Sequence, residues 1–394
     1  MERKSARLYF IDAMRAWAIL MMLQGHFVDG LLDMGFRDNS AGGYTIWKYF
    51  RGITAPVFFT VSGFIFTYLL VRVPQTGFDN PRIKKGLKRG LQLLLIGYLL
   101  RLNLFGLLQG QIYDAFYLVD VLHCIGLSIL GIIGLYLITY KQKRWLFPAA
   151  LATITVLLFL LEPWYKQFSY SFLPDALANY FTKANGSVFT IFPWFGYTAF
   201  GGFLSLLFTR FRDFKYLYPI AIGSATVIGL TLIFYSSHFF LLLSKYTDIQ
   251  LFERIYFNNY LFIRLGDVFL VLAVFMLFRG FLTHKTLIKI GQSTLSIYVV
   301  HFIILYGSFT GLGLYRFFHH SLTPQIVIPS ALVFMFLCTY TALLYERHKV
   351  TLKSSLISFF GYMWAKMEPL YLNVHKTMRA SLVRILRLFG LVKN

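Results

Sequence analysis

Residues 7–26 read Arg7-Leu-Tyr-Phe-Ile-Asp12-Ala-Met-Arg15-Ala-Trp-Ala-Ile-Leu-Met-Met-Leu-Gln-Gly-His26. The run is apolar enough to cross a bilayer, yet it carries ionisable groups that a simple anchor does not need. A spanning helix takes about 20 mostly apolar residues, because in lipid the backbone must satisfy its own hydrogen bonds. A charged or titratable side chain inside such a helix is costly unless paired or wetted, so it marks function by default. Asp12 and Arg15 stand one helical turn apart and can pair. Arg15 and His26 lie eleven residues apart, which is about three turns, and fall on nearly one face. The helical rise separates them by about 16 Å along the axis. All three therefore form one stripe turned into a bundle, with Arg15 in its inner half and His26 near the outer end. Two plainer roles compete for the same residues: an ion pair locking the first helix to its neighbours, and a histidine wetted by the outer headgroups.

Outward from this stretch the pattern repeats. Apolar runs at 8–28, 53–71, 91–108, 118–140, 145–161, 188–208, 216–235, 261–278, 290–309 and 326–345 predict an all-α polytopic membrane bundle. About ten spans result. Charged residues make up only 14% of the 394, against about 25% in soluble domains, and mean hydropathy is +0.63. The net charge of +22 comes in short clusters between apolar runs. Arg3, Lys4 and Arg7 open the chain; Arg72, Arg82, Lys84, Lys85, Lys88 and Arg89 form a basic loop; Lys141, Lys143 and Arg144 follow at the next alternate connection. Such alternation is the positive-inside pattern and predicts that both termini are cytoplasmic. It also leaves no extended basic surface for nucleic acid.

Residues 1–350 read as the transmembrane domain and 351–394 as a basic amphipathic cytoplasmic tail. In the tail Met378, Leu382, Ile385 and Phe389 recur at helical spacing, with Arg379, Arg384 and Arg387 elsewhere on the wheel. That pattern suits a helix lying on an anionic leaflet; a frayed basic tail is the alternative. Cys124 and Cys338 sit in apolar runs without metal-ligand spacing and read as small core hydrophobes, so no metal is expected. The first run lacks a small-residue cleavage site and is taken as a span. With no targeting extension in view, the bacterial inner (plasma) membrane is the expected location. Helix faces rich in Phe and Leu leave a homo-oligomer open.

Four stretches, in order, resemble a known group. The first is the opening run with Arg15 and His26. The second is Arg51-Gly-Ile-Thr-Ala-Pro56-Val-Phe-Phe-Thr-Val-Ser62-Gly63-Phe. The third is Phe192-Pro193-Trp194-Phe-Gly196-Tyr-Thr-Ala-Phe-Gly201-Gly202, and the fourth Gly291-Gln-Ser293-Thr-Leu-Ser-Ile-Tyr298-Val-Val-His301. Together they resemble the transmembrane acyltransferase superfamily, which joins acyltransferase family 3 with the heparan-alpha-glucosaminide N-acetyltransferase-like proteins. The resemblance implies transfer of an acyl group, acetyl by default, from acyl-CoA to a glycan or lipid-linked sugar at the outer face. It also implies that CoA enters from the cytoplasm and reaches outward through the bundle.

Acyl transfer from a thioester needs a base, a stabilised oxyanion and a means of holding the donor. His26 suits the base, or could itself carry the acyl group. Arg15 lies on the implied donor path and could hold phosphate or the carbonyls of the CoA arm, with Asp12 orienting it. Arg51, at the outer end of the second span, is a candidate for acceptor or donor binding; a snorkelling rim arginine is the alternative. Asp120 could orient His123 three residues on, and the two are candidates for acceptor binding. His301 falls near mid-membrane as a donor-site candidate or a satisfied core histidine. Arg264 and Asp267 read as a structural pair, and Ser62 and Ser293 as packing residues. A secondary transporter of a small or anionic solute, using the same intramembrane charges, is the competing function, and a non-catalytic scaffold a further one.

Overall fold

The computed structural model describes residues 8–388, without the side chains of Leu370, Arg384, Arg387 and Leu388. The basic residues Arg3, Lys4 and Arg7, and Phe389 of the tail, lie outside it. In chain order the helices are α1 (Tyr9–Leu31), α2 (Gly42–Val71), α3 (Pro81–Arg101), α4 (Leu104–Leu108), α5 (Val121–Thr139), α6 (Leu146–Leu160), α7 (Glu162–Tyr165) and α8 (Asp175–Ala178). There follow α9 (Ile191–Arg210), α10 (Leu217–Thr247), α11 (Gln250–Phe257), α12 (Tyr260–Leu277), α13 (Lys285–Gln292), α14 (Thr294–Tyr306), α15 (Leu314–Phe318) and α16 (Pro324–Leu388). The described residues hold no strand, only isolated bridges Leu32–Leu322 and Asn103–Phe309 between loops.

The chain is an all-helical, multi-pass membrane protein. Among the described residues six helices are long and apolar enough to cross a bilayer, and the bent pair α13 and α14 makes a seventh if taken as one span. Helices α1, α3 and α6, which cover the rest of the expected spans, fall short of that measure for visible reasons. Arg15, Gln24, His26 and Asp29 dilute the first, the basic cluster dilutes the second, and the third has only 15 residues.

Several boundaries differ from the sequence reading, each for a local reason. The basic stretch 82–89 is helix, not loop: the Asn80 side chain accepts from the Arg82 amide and Pro81 occupies the first turn, so α3 begins well before the apolar run. The same span stops at Arg101, because Asn103 caps the short α4. The ninth apolar run breaks at Ser293, where α13 and α14 meet at 68°. Helix α16 carries on past residue 345 as far as Leu388, the last described residue.

Helix α1 is the hub of the bundle, packed against α2, α12, α13 and α14. Its Ala13, Ala16 and Ala18 are fully buried, and such small side chains let neighbouring backbones approach. The closest approach elsewhere is between α2 and α9. A Cβ on Gly63 would collide with the carbonyl of Thr198, and one on Gly201 with the carbonyl of Thr60. Outside this pair α5 packs on α3 and α6 on α9, while α10 and α12 cross where Gly229 and Gly266 face each other's carbonyl oxygens.

Contacts separate the described residues into a unit up to Thr341 and another from Ala342. In the second, Met378, Leu382 and Ile385 are exposed at helical spacing.

Candidate active site

The stripe on α1 faces the interior. Asp12 is buried, with its backbone carbonyl against Gly291 of α13, where no side chain would fit. One turn on, Arg15 is half-buried, and its Nη2 donates to Thr294 Oγ1 at 3.0 Å. Thr294 is the first residue after the bend, so the break in the ninth run is what delivers a hydroxyl to this guanidinium. Arg15 lines a cavity of about 250 Å³ that also meets Arg89, Ser62, Phe58 and Tyr298.

His26 holds a different position. Its Nδ1 lies 3.4 Å from His301 Nε2 and 3.3 Å from Tyr306 Oη. No group among the described residues bonds its Nε2. The ring stands where two further cavities meet. One, of about 870 Å³, is polar, with Asp29, Arg37, Arg51, Arg101, Asp120 and Tyr306 in its walls. The other, of about 370 Å³, has more apolar walls, among them Met21, Met22, Phe58 and Trp194. Phe58 also borders the Arg15 cavity, and Tyr298 borders both that cavity and the polar one. The side chains of Phe58 and Tyr298 thus stand between the Arg15 cavity and the two cavities at His26.

The polar cavity is lined by paired charges. Arg51 Nη2 donates to Asp29 Oδ2 at 2.6 Å, and Arg37 reaches the same residue through its backbone oxygen and, at 3.6 Å, its carboxylate. Deeper in, Asp120 caps α5, accepting from the Leu122 amide, and takes Arg101 Nε at 3.3 Å. His123 lies behind this wall. It is fully buried, its Nδ1 is 3.0 Å from Asp120 Oδ1, and the ring fits only because Gly97 has no Cβ. It lines neither cavity, so of the pair expected from sequence only Asp120 reaches the open space. His301 is also fully buried, but in contact with His26 rather than apart from it. Arg264 and Asp267 do pair, at 2.9 Å, and Tyr49 Oη closes the set by donating to Asp267 at 2.6 Å. Ser62 Oγ donates back to the Phe58 carbonyl of its own helix, as a packing residue would.

A family model described as heparan-alpha-glucosaminide N-acetyltransferase, catalytic, matches residues 7–240. The chain belongs to this family. It is therefore a membrane-embedded acetyltransferase. No curated protein sequence matches it. Within the match fall α1 and α2, with Asp12, Arg15, His26 and Arg51, and the α9 glycines that seat α9 on α2. Beyond the match, α14 supplies Thr294, His301 and Tyr306.

Sequence reasoning missed Asp29, Arg89, Arg101, Thr294 and Tyr306. For Asp29 a signal existed, since it lies one turn past His26 on the same face. Arg89 would have been placed on a helix had Asn80-Pro81 been read as a cap followed by a first-turn proline. Thr294 and Tyr306 had no local signal, because their partners lie 279 and 280 residues away. No group of His, Cys, Asp or Glu suited to a metal ion occurs among the described residues.

Proposed function

We propose that the chain moves an acetyl group from acetyl-CoA to an amine or hydroxyl of a glycan or lipid-linked sugar, with His26 as the base. The observation that carries this reading is the surroundings of His26. One ring nitrogen is held by His301 and Tyr306, and no described residue bonds the other, on a ring that stands where two cavities meet. A proton on Nδ1 can be donated to either neighbour, which leaves the lone pair on Nε2 for an incoming nucleophile. That is the arrangement of a base steadied by further groups.

In the reaction, the acceptor N–H or O–H gives its proton to His26 Nε2 while its heteroatom bonds to the thioester carbonyl carbon. The carbon–sulfur bond then breaks, and the departing thiolate takes the proton back from His26. Arg15, with Arg89 in the same cavity, is positioned to hold the phosphates or polar arm of the donor, and Thr294 fixes its orientation. Asp12 anchors this end of α1 against α13. Arg51 and Asp120 face the polar cavity and suit acceptor hydroxyls, with Asp29 and Arg101 as their charge partners; His123 braces Asp120. His301 serves as a positioning residue for His26 from the donor side. Ten crossings with cytoplasmic termini, in a bacterial inner membrane, would bring donor to the Arg15 end and acceptor to the His26 end.

Radiolabel transfer from acetyl-CoA in proteoliposomes tests this. His26→Ala should lower turnover by about 100- to 10,000-fold, the usual worth of a general base, with the melting temperature unchanged. Turnover equal to that of the unaltered protein would remove His26 from the mechanism.

A further inference from the structure

The smaller cavity beside His26 is built unlike a site for a neutral sugar. Lys48, Arg51, Lys183 and Arg264 all line it, and no acidic side chain is among its described walls. The two arginines are answered elsewhere: Arg51 by Asp29, which faces the polar cavity, and Arg264 by Asp267, which lines neither. The lysines are not. Lys48 Nζ donates to the neutral amide oxygen of Asn39 at 2.9 Å, and no carboxylate pairs with Lys183 among the described residues. Desolvation, and then the nearby Lys166, lower the pKa of Lys183. Surplus cations and an apolar lining call for one ligand that joins an anion to a hydrocarbon chain.

We propose that this cavity binds a lipid phosphate carrying the acceptor sugar, with the phosphate between Lys48 and Lys183 and the chain against Met21, Met22 and Phe58. The sugar would then sit at His26, a placement that rests on the acetyl-transfer reading above. Phosphate oxygens accept charge-assisted hydrogen bonds from ammonium groups, and the apolar walls separate a lipid phosphate from a free sugar phosphate.

The test uses the purified full-length chain in detergent, titrated with farnesyl phosphate, with farnesol and with glucose 1-phosphate. Farnesyl phosphate should bind at least about tenfold tighter than either, since each of the others lacks one half of the match. The double variant Lys48→Gln/Lys183→Gln should lose about tenfold for farnesyl phosphate and nothing for farnesol, while Lys48→Arg/Lys183→Arg keeps both affinities. Equal affinity of the unaltered protein for farnesyl phosphate and farnesol overturns the anion site, whether or not the variants fold. Equal affinity for glucose 1-phosphate and farnesyl phosphate overturns the lipid assignment. Tight farnesyl phosphate binding by a protein that transfers no acetyl group would instead leave this site standing and remove the acetyltransfer reading.

Discussion

At the scale of single residues, the site depends on which nitrogen of His26 is occupied. Tyr306 Oη and His301 Nε2 share one nitrogen, so neither neighbour alone should be indispensable. Tyr306→Phe is expected to lower kcat by about fivefold, the rate equivalent of one modest hydrogen bond. The KM for acetyl-CoA, set at the Arg15 end, should stay within about twofold. A purely structural role would lower the melting temperature and leave kcat per folded molecule alone. At the other end Arg15→Lys keeps the charge but loses the planar fork that meets Thr294 and, in the proposed reaction, a donor phosphate. Steady-state kinetics should show its effect mainly as a raised KM for acetyl-CoA, by about tenfold. Arg15 and His26 were legible in the sequence because a titratable group in an apolar helix has few uses and because helical geometry puts both on one face. The groups that grip them were not legible. Helical periodicity relates neighbours a few residues apart, whereas Thr294 and Tyr306 meet α1 across most of the chain.

At the scale of helices, the α2–α9 contact is the most exacting. Gly63 and Gly201 each face a carbonyl of the opposite helix so closely that any side chain must push the backbones apart. Gly63→Ala or Gly201→Ala should destabilise by about 1–3 kcal/mol, the range of overpacking, read as a lower melting temperature in detergent. Gly43→Ala is the matching control on α2: nothing lies within 4 Å of a Cβ there, so only the small gain in helix propensity remains. Both contact glycines stand in stretches singled out from sequence. Six of the ten expected runs coincide with helices long and apolar enough to span among the described residues, since a crossing helix needs about 20 apolar residues in a row. The start of α3 was hidden by a basic cluster that behaves as the first turns of a helix. The bend at Ser293 falls in the polar stretch Gly291-Gln-Ser-Thr294, a local break overridden by the apolar residues that follow it.

At the scale of the whole molecule, every group assigned to the reaction lies in the unit that ends at Thr341. After residue 350 the described side chains are exposed or half-exposed. Truncation after residue 350 should therefore retain acetyl transfer within about twofold in proteoliposomes, with any loss confined to membrane association, as for a helix held at a leaflet by apolar and basic residues. A large fall in turnover per inserted molecule would mean that the tail takes part in the chemistry.

Helix α14 has one more consequence. It is a 13-residue helix whose first residue grips Arg15 and whose last grips His26, so it acts as a ruler between the proposed donor and acceptor ends. Tilting it would spoil both grips together. A chimera that exchanged only the matched segment 7–240 between relatives would import a new α1 onto an old ruler. Such hybrids should insert and fold yet turn over poorly until residues 285–306 travel with the exchanged segment.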